Sequence, residues 1–215
     1  MLPFRRPAGV CRSPAASSVI ASRIRIPNGA GPDQREEAAE AGRDLSKIHS
    51  VASFFVSRVD AEVDKRLAAA GRTDLQSKTA IANALVAYGA FEEVFGSDRF
   101  KALAAKGANQ QRPLWASTGT KDPSLPDTLY VTNLVADGVV NTMPEKTMDA
   151  FADHGEVGES IVGRAAEGRA VLDDADIAGV TVYYSATIIT SADGIFGFGE
   201  VVDGAFPAEF GDFIK

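Results

Sequence analysis

Ser-Val-Ala-Ser-Phe-Phe-Val-Ser-Arg-Val-Asp, residues 50–60, is the stretch whose reading decides the fold. Its apolar core, Val51 to Val56, is too short for a stable helix and nearly continuous, which is the pattern of a strand buried on both faces of a parallel sheet. It ends in serine and arginine and passes directly into Asp60–Ala70, where Val63 and Leu67 stand at helical spacing and Gly71 offers a stop. The unit is a strand, a polar turn and a helix. Two further runs, Leu114–Ser117 and Val139–Thr142, have the same design, each an apolar strand closing on hydroxyl or amide residues.

Working outward, Arg35–Ala41 has a helical pattern with Gly42 as its terminator, and Leu45 and Ile48 lead into the first strand. Asp74–Phe95 is predicted as one long helix with Ile81, Leu85, Tyr88 and Phe95 on a core face. Ser97 or Asp98 is placed to cap a shorter helix carrying Phe100 and Leu103, which Gly107 closes. Thr128–Val135 is extended or briefly helical, Glu145–Ala152 is a helix, and Glu156–Asp174 is an acid-rich helical segment with Ile161, Ala165 and Val171 as a face. The order predicts an α/β protein with parallel strands, most simply three consecutive units of a barrel.

The chain has 215 residues, 45% of them hydrophobic, which suffices for a single sizeable core but is short of the ~250 residues of a complete eight-stranded α/β barrel. A formal charge of -7 argues against nucleic acid and against an anionic membrane surface, so any anionic ligand must be held by local cations. One cysteine, Cys11, excludes an intramolecular disulfide framework, and His49 and His154 are too far apart in sequence to suggest a metal site.

Two constellations could hold an anion. Ser53 and Arg58 lie five apart, so the hydroxyl belongs to the strand and the guanidinium to the turn or first helical residues. A planar, permanently charged fork suits bidentate contact with phosphate, although an arginine after a strand serves equally as a surface ion-pairing residue. Ser117-Thr118-Gly119-Thr120-Lys121 offers three hydroxyls, a glycine and a cation, the ingredients of an anion nest or of an ordinary polar turn. Lys121 has no apolar, acid-supported surroundings in sequence, so a Schiff-base role is rejected for it. Trp115 is read as core, Asn141, Thr142 and Met143 as packing at a strand end, and Asp122 and Asp127 as turn residues.

The segments 50–60, 112–123 (Arg-Pro-Leu-Trp-Ala-Ser-Thr-Gly-Thr-Lys-Asp-Pro) and 140–144 (Val-Asn-Thr-Met-Pro) together resemble the transaldolase family, in its longer bacterial branch. The resemblance implies a partial TIM-type (β/α)8 barrel with strands corresponding to six to eight. It implies that Ser53, Arg58, Ser117 and Lys121 bind the substrate's phosphate, Lys121 by type and approximate offset only. The family's reaction is transfer of a dihydroxyacetone unit from sedoheptulose 7-phosphate to glyceraldehyde 3-phosphate through a lysine imine, in the non-oxidative pentose phosphate pathway, with no metal or cofactor. The family's lysine lies in an apolar run followed by Pro-Ala-Thr, and neither that run nor its supporting carboxylates have a counterpart here. No catalytic residue is therefore assigned, and a non-catalytic sugar-phosphate-binding or interaction fragment is the alternative. Sugar phosphates are the expected partners, without nucleic acid or membrane, the expected compartment is the cytoplasm, and open barrel edges suggest self-association.

Residues 1–34 fit neither unit nor family. Five arginines, several serines and prolines and no acid before Asp33 suit an organelle transit segment, a disordered tail, or codons read outside the native frame, the last favoured by the bacterial type of residues 35–174. Those residues, 35–174, form the family-like region. Residues 175–215 are a divergent tail in which Val180–Ile189 is β-branched and aromatic and Gly-Ile-Phe-Gly-Phe-Gly at 194–199 breaks all periodicity, where the family leads one to expect amphipathic helices.

Overall fold

A computed structural model describes residues 32–177, 186–192 and 195–200, with side-chain surroundings for residues 35–175. The leader, apart from its last three residues, and the end of the tail lie outside these described residues. The first strand, β1 (His49–Phe55), is followed at once by α2 (Ser57–Ala69), as the 50–60 motif demands. Before it come α1 (Pro32–Glu40) and a single 3-10 turn at Leu45–Lys47. Gly42 and Gly71, both predicted stops, have φ of 69° and 73°, the left-handed region that a side chain resists.

The long helix α3 (Thr79–Gly96) begins five residues later than expected. A 3-10 turn at Thr73–Leu75 and Ser77 at φ 60° take up the intervening chain, and the Asp64 carboxylate holds that turn by accepting from the Ser77 amide at 3.0 Å. Ser97 caps α4 (Asp98–Ala104), accepting from the Phe100 amide at 3.2 Å. Then come β2 (Gln111–Ala116), the short α5 (Leu129–Asn133), β3 (Val140–Thr142) and α6 (Glu145–His154).

The expected helix over 156–174 is corrected: 155–164 is non-helical, and α7 runs only from Ala165 to Ile177. Gly163 has φ 74°, and a bridge pairing Val135 with Ser160 ties the segment to the chain just after α5, with Ile161 fully buried. The tail that defied the helical expectation contributes two strands, β4 (Ala186–Ala192) and β5 (Ile195–Glu200).

The five strands form one sheet in the order β3-β2-β1-β4-β5. β1, β2 and β3 pair in parallel and in chain order, as expected, while β4 runs antiparallel along the other edge of β1 and β5 antiparallel along β4. Register sets Phe54 opposite Trp115, and their rings meet edge to face at 6.0 Å. On this face the sheet packs against Ala80, Ala84, Leu85 and Tyr88 of α3 and Tyr130 of α5. Trp115 is buried, as read, and its indole N–H donates to the Leu134 carbonyl at 3.1 Å. Alternation sends Val51, Ser53 and Phe55, with Leu114 and Ala116, to the opposite face. Ser53, Leu114 and Ala116 are buried there, while Val51 and Phe55 are half-buried. No helix among the described residues is long and apolar enough to cross a membrane.

Candidate phosphate site at the strand ends

Parallel pairing in chain order brings the carboxyl ends of β1, β2 and β3 side by side, and the polar residues after each strand meet there. Two backbone bonds fasten the first two ends. The Val56 amide donates to the Ala116 carbonyl at 2.9 Å, and the Ser57 amide to the Ser117 carbonyl at 3.0 Å. The Ser57 and Ser117 hydroxyls are in turn 2.9 Å apart. Ser117 itself has φ 55°, rare for a residue with a side chain and characteristic of backbone held by its surroundings.

Ser53 is 6% exposed, on the face of β1 opposite the α3 core. Arg58 is exposed, and its guanidinium lies 4.6 Å from the centre of the Phe55 ring, a cation–π contact. Phe55 shares its face with Ser53 two residues along the strand, roughly 6.6 Å. Arg58 thus leans towards the end of the face that carries Ser53, and it makes no ion pair among the described residues.

The nest after β2 is less open than its composition suggests. Thr118 is fully buried and donates to the Asn141 side-chain carbonyl at 2.8 Å, tying the ends of β2 and β3. Thr120 donates to the Pro126 carbonyl at 2.9 Å. Gly119 passes so near α6 that a Cβ there would lie 3.0 Å from the Pro144 ring and 3.3 Å from the Thr147 hydroxyl. Lys121 is exposed, and no hydrogen bond or ion pair among the described residues joins it to Ser53, Arg58 or Ser117. The structure therefore brings Ser117 into the convergence and leaves Lys121 out on the loop.

Sequence reasoning misses two residues. Ser57 stands beside Arg58 and in sequence is only part of the turn. Asp60 looks like no more than the start of a helix, yet it is 3% exposed and accepts from the Thr79 hydroxyl at 2.9 Å, the Ala80 amide at 2.7 Å and the Tyr130 hydroxyl at 2.9 Å. Burial pushes its carboxyl above the ordinary range, against the pull of these three bonds. Asp60 fixes the first turn of α2, and with it Ser57 and Arg58, relative to α3 and α5. Asp127 lies in a turn, as expected, and its carboxylate is also 3.0 Å from His154 Nε2. Among the described residues no cluster of histidine, cysteine or carboxylate side chains is arranged to hold a metal ion.

Parallel strands whose carboxyl ends gather hydroxyls and an arginine make an α/β protein with a candidate anion site at the strand ends. The family model for transaldolase/fructose-6-phosphate aldolase matches residues 31–200. A transaldolase of Thermobifida fusca is 61% identical over 151 residues, 68% of this chain and 41% of that protein. One of Mycolicibacterium smegmatis is 54% identical over 184 residues, 78% of this chain and 50% of that protein. One of Frankia alni is 65% identical over 130 residues, 59% of this chain and 35% of that protein. The chain belongs to the transaldolase/fructose-6-phosphate aldolase family, and it spans half or less of the length of these curated relatives.

Proposed function

We propose that this chain is the portion of a transaldolase-type (β/α)8 barrel corresponding to strands six to eight, and that it supplies the phosphate-holding end of the site. Ser53, Arg58 and Ser117 hold the phosphate of a sugar phosphate, and Lys121 adds charge from the loop. The observation that carries this reading is the placement of the Arg58 guanidinium over Phe55, on the face of Ser53, beside the joined ends of β1 and β2. In the family's reaction, a dihydroxyacetone unit passes between sugar phosphates through a lysine imine. No lysine here stands in an apolar run followed by Pro-Ala-Thr, so the isolated chain binds substrate without making the bond. Function in the cytoplasm, within the non-oxidative pentose phosphate pathway, belongs to the same reading.

The test is titration of the purified chain with fructose 6-phosphate and with fructose. Arg58→Lys keeps the charge and loses the fork, and should weaken the phosphorylated sugar by about 1 to 3 kcal/mol, the range of charge-assisted hydrogen bonds, leaving fructose unchanged. Equal losses for both sugars, or none, refute the assignment. Borohydride added with fructose 6-phosphate should trap no adduct, and a stoichiometric adduct on Lys121 would make the chain an enzyme with a relocated nucleophile.

A further inference from the structure

Resting on the phosphate reading above, we propose that Ser57 is a positioning residue for that site: its buried hydroxyl donates to Ser117, which leaves Ser117 free to donate its own proton to an anionic oxygen. Two hydroxyls 2.9 Å apart share one proton, and the direction decides what the site offers a ligand. Ser57 is 1% exposed, and among the described residues its hydroxyl has no partner but Ser117. If Ser117 were the donor, the Ser57 proton would be buried without an acceptor, an arrangement proteins avoid because the desolvation cost goes unrepaid. With Ser57 as donor, the leftover proton belongs to Ser117, which is only half-buried and can reach solvent or ligand.

The neighbouring hydroxyls sharpen the assignment. Thr118 has already given its proton to Asn141 and Thr120 to the Pro126 carbonyl, so of the three hydroxyls after β2 only Ser117 retains one for an anion. Ser117 is also fixed in place, because the Ser57 amide holds its carbonyl and its backbone is left-handed. A chain running from Ser57 to Ser117 to a phosphate oxygen has its dipoles aligned, and each bond strengthens the next.

The experiment is calorimetric titration of the full chain with fructose 6-phosphate, using Ser57→Ala, Ser117→Ala and the double variant, with folding checked by circular dichroism and melting. Ser57→Ala and Ser117→Ala should each weaken binding about fivefold, the scale of one hydrogen bond, and Ser57→Ala should add less than about 1.5-fold once Ser117 is alanine. Ser57→Thr should bind as the unaltered chain does, while Ser57→Val, of the same shape without the hydroxyl, should show the fivefold loss. That pair carries the test should Ser57→Ala fail to fold. Full affinity in Ser57→Val, or an equal loss from Ser57→Ala in the Ser117→Ala background, overturns the role of Ser57 while the phosphate site stands. Absence of binding by the unaltered chain, or indifference to both Arg58→Lys and Ser117→Ala, removes the phosphate reading and this one with it.

Discussion

Replacing Asp60 with alanine tests whether the junction of α2, α3 and α5 is held by one carboxylate. The substitution strands three donors, the Thr79 hydroxyl, the Ala80 amide and the Tyr130 hydroxyl, and Asp60, Thr79, Ala80 and Tyr130 are all buried. Each stranded donor costs roughly 1–3 kcal/mol, and relief of the carboxylate's own burial offsets part of the sum. The expected net loss is about 3–5 kcal/mol, as when one partner of a buried charged interaction is removed, a large share of the ~5–15 kcal/mol that holds a domain together. Urea unfolding followed by the fluorescence of Trp115, the only tryptophan, reports it. At an m of roughly 2 kcal/mol/M the midpoint should fall by roughly 2 M. Asp60→Asn keeps an acceptor for Thr79 and Ala80 and should lose less than half as much. The pH dependence supplies a second reading. A carboxyl raised in the folded state binds its proton more tightly there than in the unfolded chain, so its contribution favours folding at acid pH. That contribution declines as pH climbs from the unfolded value of ~3.9 through the raised folded value, and Asp60→Asn should abolish this slope. A loss below about 1 kcal/mol in Asp60→Ala would refute the claim that this carboxylate organises the junction.

His154 lies between Asp127 at 3.0 Å and Asp153 at 3.1 Å, and these contacts, Asp127 foremost, raise its pKa. Its stabilising contribution is therefore complete below the unfolded pKa and is lost as pH rises through the higher folded value; proton NMR should give a midpoint above ~6.5 that Asp127→Asn lowers. Gly158→Ala would drive a Cβ into the Thr132 carbonyl and should cost about 1–3 kcal/mol in chemical denaturation; an unchanged midpoint would show that the 155–164 segment is free to shift. Ser97→Ala removes the α4 cap and should cost about 1 kcal/mol, seen as a lower melting temperature with the sheet signal intact.

The parallel part of the fold is legible in the sequence because its signals are local. Val51–Val56 and Leu114–Ala116 are nearly continuous apolar runs, and Gly42, Gly71 and Gly107 stop the helices that precede or follow them, each at positive φ. The start of α3 is not legible because Asp64, ten residues upstream of Asp74, holds Ser77 in a left-handed turn that composition does not announce. The 155–164 segment misleads for a similar reason: its acids and small residues suit a helix, but pairing with Val135 overrides that preference. At the site, the Ser53 to Arg58 spacing is visible in the chain, whereas the Ser57–Ser117 contact joins residues 60 apart and Asp60 to Tyr130 joins residues 70 apart. An acid in the first turn of a helix is ordinarily explained by the helix dipole, which conceals the burial of Asp60. Only the register of β1 on β2 brings Ser57 and Ser117 together.

A strand has two hydrogen-bonding edges, and on β1 both are taken, one by β2 and the other by β4 in antiparallel sense. Any additional parallel strand seeking the position beside β1 must evict the β4–β5 hairpin, because the same amide and carbonyl groups of residues 49–54 cannot serve two ladders. The hairpin thus acts as a placeholder: with it seated, the sheet can grow only outward from β3 or β5, and closure into a ring through β1 requires strand exchange.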